Sequence, residues 1–244
     1  MRLLLVAGLI VAGLLADAHG ARAQDSPADS LRSVIVQDET PPETEPIDVR
    51  VLAALYAPEE GVYPTAMYLV NESFYPAVWG AAPIAWTATL ATSADAKPAL
   101  RLTLTQVANF GATYALKNLV RRPRPYVALD DVDARDRRHR ADRILDPNSF
   151  PSGHTSSAFA LATSLSASFP EWYVVVPAMT WATAAGVSRA WHGVHYPSDI
   201  LVGAGIGAGT ALLVHALIPE GSDAVAVPFA EPVVVPVFAV RARL

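Results

Sequence analysis

Three short clusters hold the residue types that could do chemistry in this chain: Lys117 followed by Arg124-Pro125, then Pro151-Ser152-Gly153-His154, then Ser188-Arg189 followed by His195 and Asp199. They supply three fixed cations, a turn able to wrap an anion, two histidines and a carboxylate to orient one of them. Such a set suits phosphoryl transfer in which side-chain cations and backbone N–H groups, rather than a metal ion, hold the phosphoryl oxygens.

Each cluster has its own logic and its own plainer alternative. Lys117 sits near the end of an apolar helical run that Pro123 and Pro125 stop at once, leaving Arg124 in an extended or turn segment. A point charge and a guanidinium fork then stand at one helix end, although Arg121, Arg122 and Arg124 also fit simple solvation beside a helix C-terminus. Lys117 is one of only two lysines, with Lys97, in a chain that otherwise uses arginine. In the second cluster Pro151 and Ser152 offer a helix start, Gly153 lets a ligand approach the backbone closely, and His154 opens the helix that follows. Free N–H groups at such a start bind anions, which would set His154 beside a phosphate, ready to protonate a leaving oxygen. A partly buried N-terminal histidine is the alternative. In the third, Pro197 favours a helix beginning there, so Asp199 falls in its first turn, four residues beyond His195. It could accept a hydrogen bond from one imidazole nitrogen and keep the other unprotonated and aimed outward as a nucleophile. A structural His–Asp pair fits the same spacing, and His192 and His215, lacking such companions, are read as structural.

The elements that must position these clusters are apolar and helical in length: about Val49 to Leu55, Thr65 to Glu72, Pro76 to Thr92, Ala99 to Val120, His154 to Ser168, Trp172 to Val187 and Ser198 to Leu217. Prolines and glycines fall at their edges, where helices should stop. The run ending at Val120 reads as amphipathic, with Arg101, Gln106 and Asn109 on its polar side. Ile200 to Ile218 is apolar almost throughout, and Gly203, Gly205, Gly207 and Gly209 would let it pack closely in a core or a bilayer. Tyr126 to Phe150 is dense in Asp and Arg and reads as a solvated connection; its carboxylates lack the glycine and terminal glutamate of a calcium loop. After Gly221, valines alternating with prolines predict one or two short edge strands.

Residues 1–23 read as a secretory signal peptide, with Arg2 before an apolar run from Leu3 to Leu15 and Ala21-Arg22-Ala23 at the cleavage position; the alternative is an uncleaved N-terminal anchor, for which the apolar run is short of the ~20 residues of a span. Residues 24–46, polar and proline-rich, read as a disordered leader, residues 47–218 as one domain, and residues 219–244 as a tail. With no cysteine, disulfides, thiol chemistry and zinc–thiolate sites are excluded. Removing the signal leaves 16 basic and 22 acidic residues, the wrong balance for a nucleic-acid binder. A hydrophobic content of 52% and a mean hydropathy of +0.29 fit either a soluble enzyme rich in apolar residues or a protein with few membrane spans.

Taken together, the clusters resemble the type 2 phosphatidic acid phosphatase superfamily, which includes bacterial class A acid phosphatases and vanadium haloperoxidases. Its pattern of lysine, six residues, Arg-Pro is met by Lys117, Arg124 and Pro125; Pro-Ser-Gly-His by Pro151 to His154; and Ser-Arg, five residues, His, three residues, Asp by Ser188, Arg189, His195 and Asp199. The resemblance implies an all-α bundle of about six helices with the motifs converging at one end. It also implies a phosphatase that uses no metal and no cofactor. In such an enzyme His195 is the nucleophile, Asp199 orients it, and His154 is the general acid that later activates water. Lys117, Arg124, Arg189, the Ser152 side chain and the Gly153 N–H hold the phosphoryl oxygens. His195-Tyr196-Pro197-Ser198-Asp199, together with Trp172, Tyr173, Trp181 and Trp191, resembles the lipid phosphatase branch. The implied substrate is therefore a phosphorylated lipid or small phosphoester: a monoester, or an acid anhydride if it is a polyprenyl pyrophosphate. Membrane association and a periplasmic or inner-membrane location, with the site facing the periplasm, follow as expectations. Nucleic acid is not an expected partner, and the oligomeric state is left open. The alternatives are a vanadium haloperoxidase, holding vanadate on the same residues, and a non-catalytic envelope protein that binds phosphate headgroups.

Overall fold

A computed structural model of the protein describes residues 46–57, 59–92, 94–136 and 147–219. The signal peptide, nearly all of the polar leader, the arginine-rich centre of the connection between the first two motifs and the expected C-terminal strands lie outside the described residues. Within them are seven helices and no strand: α1 Ile47–Tyr56, α2 Val62–Thr92, α3 Lys97–Val120, α4 Pro125–Ala128, α5 Gly153–Ser168, α6 Trp172–Trp191 and α7 Pro197–Leu217.

Prolines divide the chain less than their spacing predicts. The two helices expected at Thr65–Glu72 and Pro76–Thr92 are one 31-residue helix, α2, which runs through Pro76 and Pro83, and Pro177 lies inside α6. A proline removes one backbone hydrogen bond, and packing on either side can hold the helix through it. Here Phe74 and Val78 flank Pro76 and sit in the main core cluster with Leu102, Leu161, Ala162 and Ala185.

Helix α5 lies at the centre, packed against α3, α6 and most extensively α7. Its buried residues are small or hydroxylic, among them Thr155, Ser156, Ala158, Ala160 and Ala162, so neighbouring backbones come close. A Cβ added at Gly203 would stand 2.6 Å from the Ser152 carbonyl oxygen, and one at Gly207 only 2.0 Å from that of Ser156. Gly205 and Gly209 meet nothing within 4 Å, so of the four glycines expected to aid packing only the pair four residues apart serves the α5–α7 seam. At the far end of the bundle, buried Arg101 donates from Nε to the Ile218 carbonyl at 2.9 Å, capping α7 onto the first turn of α3. The opposite ends of α3 and α7 carry Lys117 and Asp199.

On α3 the polar side is the inner one. Arg101, Thr105, Asn109 and Thr113 face inward and are buried, whereas Leu104, Val107, Phe110, Tyr114 and Leu119 face outward, 42 to 77% exposed. Trp79, Ile84 and Leu90 of α2, Trp172 of α6, and Leu201, Leu212 and Leu217 of α7 are exposed in the same way. Polar residues inside and many large apolar side chains outside, among the described residues, suit a hydrocarbon surround, where a buried polar group finds its partners only within the bundle. Among the described residues α7 is the one helix long and apolar enough to cross a membrane by length and composition, with a mean hydropathy of 1.9.

Candidate active site

The chain leaves α3 through a left-handed turn. Arg121, with φ 51° and ψ 37°, caps the helix with its N–H on the Lys117 carbonyl, a conformation uncommon outside glycine and asparagine. Pro123 and Pro125 then hold the next residues extended, as their spacing predicts, with Arg124 at φ −75° and ψ 155°. Arg124 is thereby turned inward and is 2% exposed. It donates from one terminal nitrogen to the Val194 carbonyl at 2.9 Å and to His195 Nε2 at 3.1 Å. Lys117 Nζ donates to the Asn148 carbonyl at 2.7 Å, drawing in the segment that leads to the second motif.

That segment delivers the N-terminus of α5. Ser152 is the N-cap, its hydroxyl accepting from the Thr155 N–H at 3.4 Å and bonded to Thr155 Oγ1 at 2.8 Å. Its side chain is thus engaged in starting the helix and, unlike Gly153 and His154, does not line the cavity described below. The His154 ring stacks on Phe74 with centroids 4.0 Å apart and planes 20° apart, and Tyr75 meets it edge-on.

Helix α6 brings in Arg189, fully buried beneath the same space. One terminal nitrogen is held by Asn71 Oδ1 of α2 and, at 3.1 Å, by Asp136 Oδ2. Its Nε and other terminal nitrogen have no hydrogen-bond partner among the described residues. Buried donors are nearly always paired, which makes this guanidinium edge a candidate anion contact. His192 donates from Nδ1 to the Ser188 carbonyl at 2.6 Å; burial, and then the Arg189 charge, push its pKa down to about 4. It is a neutral structural residue, as its lack of companions suggests. Gly193, at φ 70°, makes the turn to His195, and a Cβ there would lie 2.5 Å from the Asp133 carbonyl, so only glycine fits.

His195 sits at the base. Arginine only donates, so Nε2 is the acceptor facing Arg124 and carries the lone pair; the ring proton belongs on Nδ1, which points at Asp199 Oδ2, 3.6 Å away. That distance is an ion-pair approach longer than the hydrogen bond its spacing predicts, and catalytic hydrogen bonds often tighten only with substrate. Asp199 is fully buried, with Oδ2 accepting from the Tyr196 N–H and Oδ1 from Arg122, both at 2.9 Å. Its backbone carbonyl accepts from the Ser152 N–H at 3.0 Å, which locks the second and third motifs together. Asp48 of α1 joins from outside. Burial opposes its ionisation, but hydrogen bonds from Ser198 and Arg122 outweigh that and hold its pKa below the ordinary aspartate value. The folded state therefore binds fewer protons there than the unfolded one. The contact is complete above the ordinary Asp range and is lost as pH falls through the lowered value.

These groups share one cavity of about 790 Å³. Lys117, Arg124, Gly153, His154, Arg189 and His195 form its polar end, and Phe74, Val78, Trp79, Val107, Phe110 and Tyr114 its apolar walls. Trp79, Val107, Phe110 and Tyr114 are also 63 to 68% exposed on the bundle exterior, so the apolar walls continue onto the outer surface. Phe74, Asn71, Asp136, Arg122, Asp48 and Gly193 were not distinguishable by motif; a glycine between His192 and Val194 was the one local signal.

The PAP2 superfamily model matches residues 98–222, just over half the chain. Among curated proteins, the lipid A 1-phosphatase of Porphyromonas gingivalis is 43% identical over 63 residues, 25% of this chain and 14% of that protein. The bacitracin transport permease protein BcrC of Bacillus licheniformis is 39% identical over 77 residues, 30% of this chain and 35% of that protein. The matches thus span only a minor part of either relative. Two crystal structures share the fold. Aquifex aeolicus LpxE has a TM-score of 0.58 at 22% identity, covering 71% of this chain and 98% of its own. The first transmembrane PAP2 type phosphatidylglycerolphosphate phosphatase from Bacillus subtilis has 0.55 at 19%, covering 92% and 100%.

Proposed function

The chain belongs to the PAP2 superfamily, and on that premise we propose that it is a lipid phosphatase working through a phosphohistidine on His195. Lys117, Arg124 and Arg189, with the Gly153 N–H, bind the phosphoryl oxygens. His195 Nε2 attacks phosphorus in line with the ester oxygen; the N–P bond forms as the P–O bond breaks, and protonated His154 gives its proton to the departing oxygen. The Nδ1–H of the now cationic imidazole faces ionised Asp199. In the second step neutral His154 takes a proton from water, the hydroxide attacks phosphorus, and the N–P bond breaks to return the lone pair to Nε2 and release phosphate. Three cations and a helix N-terminus supply the charge that the equatorial oxygens need.

The observation that carries this reading is the pairing, at the polar end of one cavity, of a buried imidazole whose lone-pair nitrogen faces Arg124 with an Arg189 edge that has no partner among the described residues. The apolar upper walls fit an acyl or isoprenyl chain, and the outward apolar faces suit a bundle seated in a membrane. With an exported N-terminus the site faces the periplasm. The Ser152 hydroxyl, busy as a cap, serves the phosphate by fixing the Gly153 N–H.

The expected result is that phosphate release from phosphatidate or a polyprenyl phosphate in detergent micelles proceeds unchanged in EDTA, exceeds that from water-soluble monoesters, and is inhibited by vanadate, which takes the geometry of the transition state. Activity lost in EDTA and restored by a divalent cation would overturn the reading. Equal rates on lipid and soluble esters would remove its lipid component.

A further inference from the structure

Arg122 is the fourth cation near His195, yet it does not line the cavity. The left-handed turn at Arg121 throws its side chain behind the site, against the start of α7. One terminal nitrogen donates to Asp199 Oδ1 at 2.9 Å and to Ser198 Oγ at 2.7 Å, and the other to Asp48 Oδ2 at 2.7 Å. The guanidinium carbon stands 3.8 Å above the centre of the Tyr196 ring. Asp48 is fixed in turn by the Ser198 N–H at 2.8 Å and the Ser198 hydroxyl at 2.5 Å. Arg122 is thus held from three sides, by α1, by an aromatic face and by the first turn of α7.

The two oxygens of Asp199 divide their tasks. Oδ1 is taken by Arg122, while Oδ2, held by the Tyr196 N–H, is the one that faces His195 Nδ1. Without Arg122 the Oδ1 side loses its charged donor, and of the side chains that hydrogen-bond Asp199 only the neutral Ser149 hydroxyl remains among the described residues, which leaves the carboxyl group more weakly held about its Cβ–Cγ bond. A fully buried carboxylate is also costly to keep ionised without a cation beside it, and Arg122 supplies one without occupying space the phosphoryl group needs.

We propose that Arg122, braced by Asp48 and stacked on Tyr196, is a positioning residue that aims and charges Asp199 and so holds His195 in its nucleophilic tautomer; this rests on the phosphohistidine reading above. Asp48 lies upstream of residues 98–222, the stretch that matches the family, so α1 becomes a working part of the site rather than an appendage.

The test is a double-mutant cycle on the full chain, assayed with phosphatidate in detergent micelles, with thermal unfolding followed in parallel. Arg122→Gln lowers kcat by about 10- to 100-fold, with KM within about twofold of wild type because no substrate contact is lost. Arg122→Lys recovers part of kcat, and Asp48→Asn moves it the same way by less. In an Asp199→Asn background Arg122→Gln adds less than about threefold, since the group it positions is already gone. Wild-type kcat in the Arg122 variants, a loss confined to KM, or a full additive loss in the Asp199→Asn background would each overturn the inference. If Arg122→Gln does not fold, Arg122→Lys and Asp48→Asn complete the same cycle. His195→Ala distinguishes the two levels. A fully active His195→Ala removes the phosphohistidine reading itself, whereas an inactive one beside additive Arg122 variants removes only the role given to Arg122.

Discussion

His195→Ala is expected to abolish phosphate release from every substrate, by at least about 10⁴-fold, with the protein still folded. The imidazole holds its lone-pair nitrogen 3.1 Å from Arg124, and alanine leaves Arg124, Arg189 and the Gly153 N–H to bind phosphate with no nucleophile at that position to accept it. Binding of inorganic phosphate or vanadate to the variant should therefore survive while turnover does not. Asp199→Asn is expected to reduce kcat by about 10²- to 10⁴-fold, because an amide favours the opposite imidazole tautomer. Both Asp199 oxygens accept from donors, the Tyr196 N–H and Arg122. An amide has a single acceptor oxygen, so one of these donors is left against its NH₂. Steady-state rates on folded, detergent-solubilised variants check both; an alanine variant with full activity would sink the assignment.

The second large effect concerns His154. Replaced by asparagine, it can neither protonate the leaving oxygen nor activate water, and general acid–base catalysis is worth about 10²- to 10⁴-fold. An alkyl ester such as phosphatidate needs the proton and should suffer fully. A p-nitrophenyl ester leaves without it, so its first step should stay fast while hydrolysis of the phosphohistidine stalls. His154→Asn should accordingly release a burst of nitrophenol close to one equivalent of enzyme and then turn over slowly. A uniform loss on both esters with no burst would show that His154 takes no part in proton transfer. Its stacking on Phe74 and edge contact with Tyr75 keep the ring upright beside Gly153, so that one imidazole can serve both steps.

The all-α class and the convergence of the three motifs were legible in the sequence; the exact course of the helices was not. Lys117, Arg124, His154, Arg189 and His195 are informative residue types at short fixed spacings, and the structure brings all five to one cavity, with Asp199 directly behind. Ser152 was read both as a helix start and, by resemblance, as a phosphate contact; its hydroxyl is the N-cap of α5 and does not line the cavity, a side-chain direction that spacing does not reveal. Arg122 and Asp48 were invisible as functional residues because each is one charge among many, and only the left-handed turn at Arg121 shows where Arg122 goes. The helices were located, but two features of them were not legible. Prolines were taken as stops, and Pro76 lies inside α2 because Phe74 and Val78 anchor the chain on both sides. The sequence marked α3 as amphipathic without assigning either face, and in the structure Arg101 and Asn109 point in while Leu104, Val107 and Phe110 point out. Periodicity reveals two faces and does not say which solvent either one meets. The same limit hid which glycines on α7 pack, since Gly203 and Gly207 differ from Gly205 and Gly209 only in helical phase.

The central claim is the covalent bond between phosphorus and His195 Nε2. The most direct measurement is to mix the His154→Asn variant with ³²P-labelled p-nitrophenyl phosphate, quench within the burst and map the labelled peptide. The account predicts a label that survives alkali, is lost in acid, sits on His195 and is absent from the His195→Ala protein. Turnover with no protein-bound label, or a label on any other residue, would contradict it.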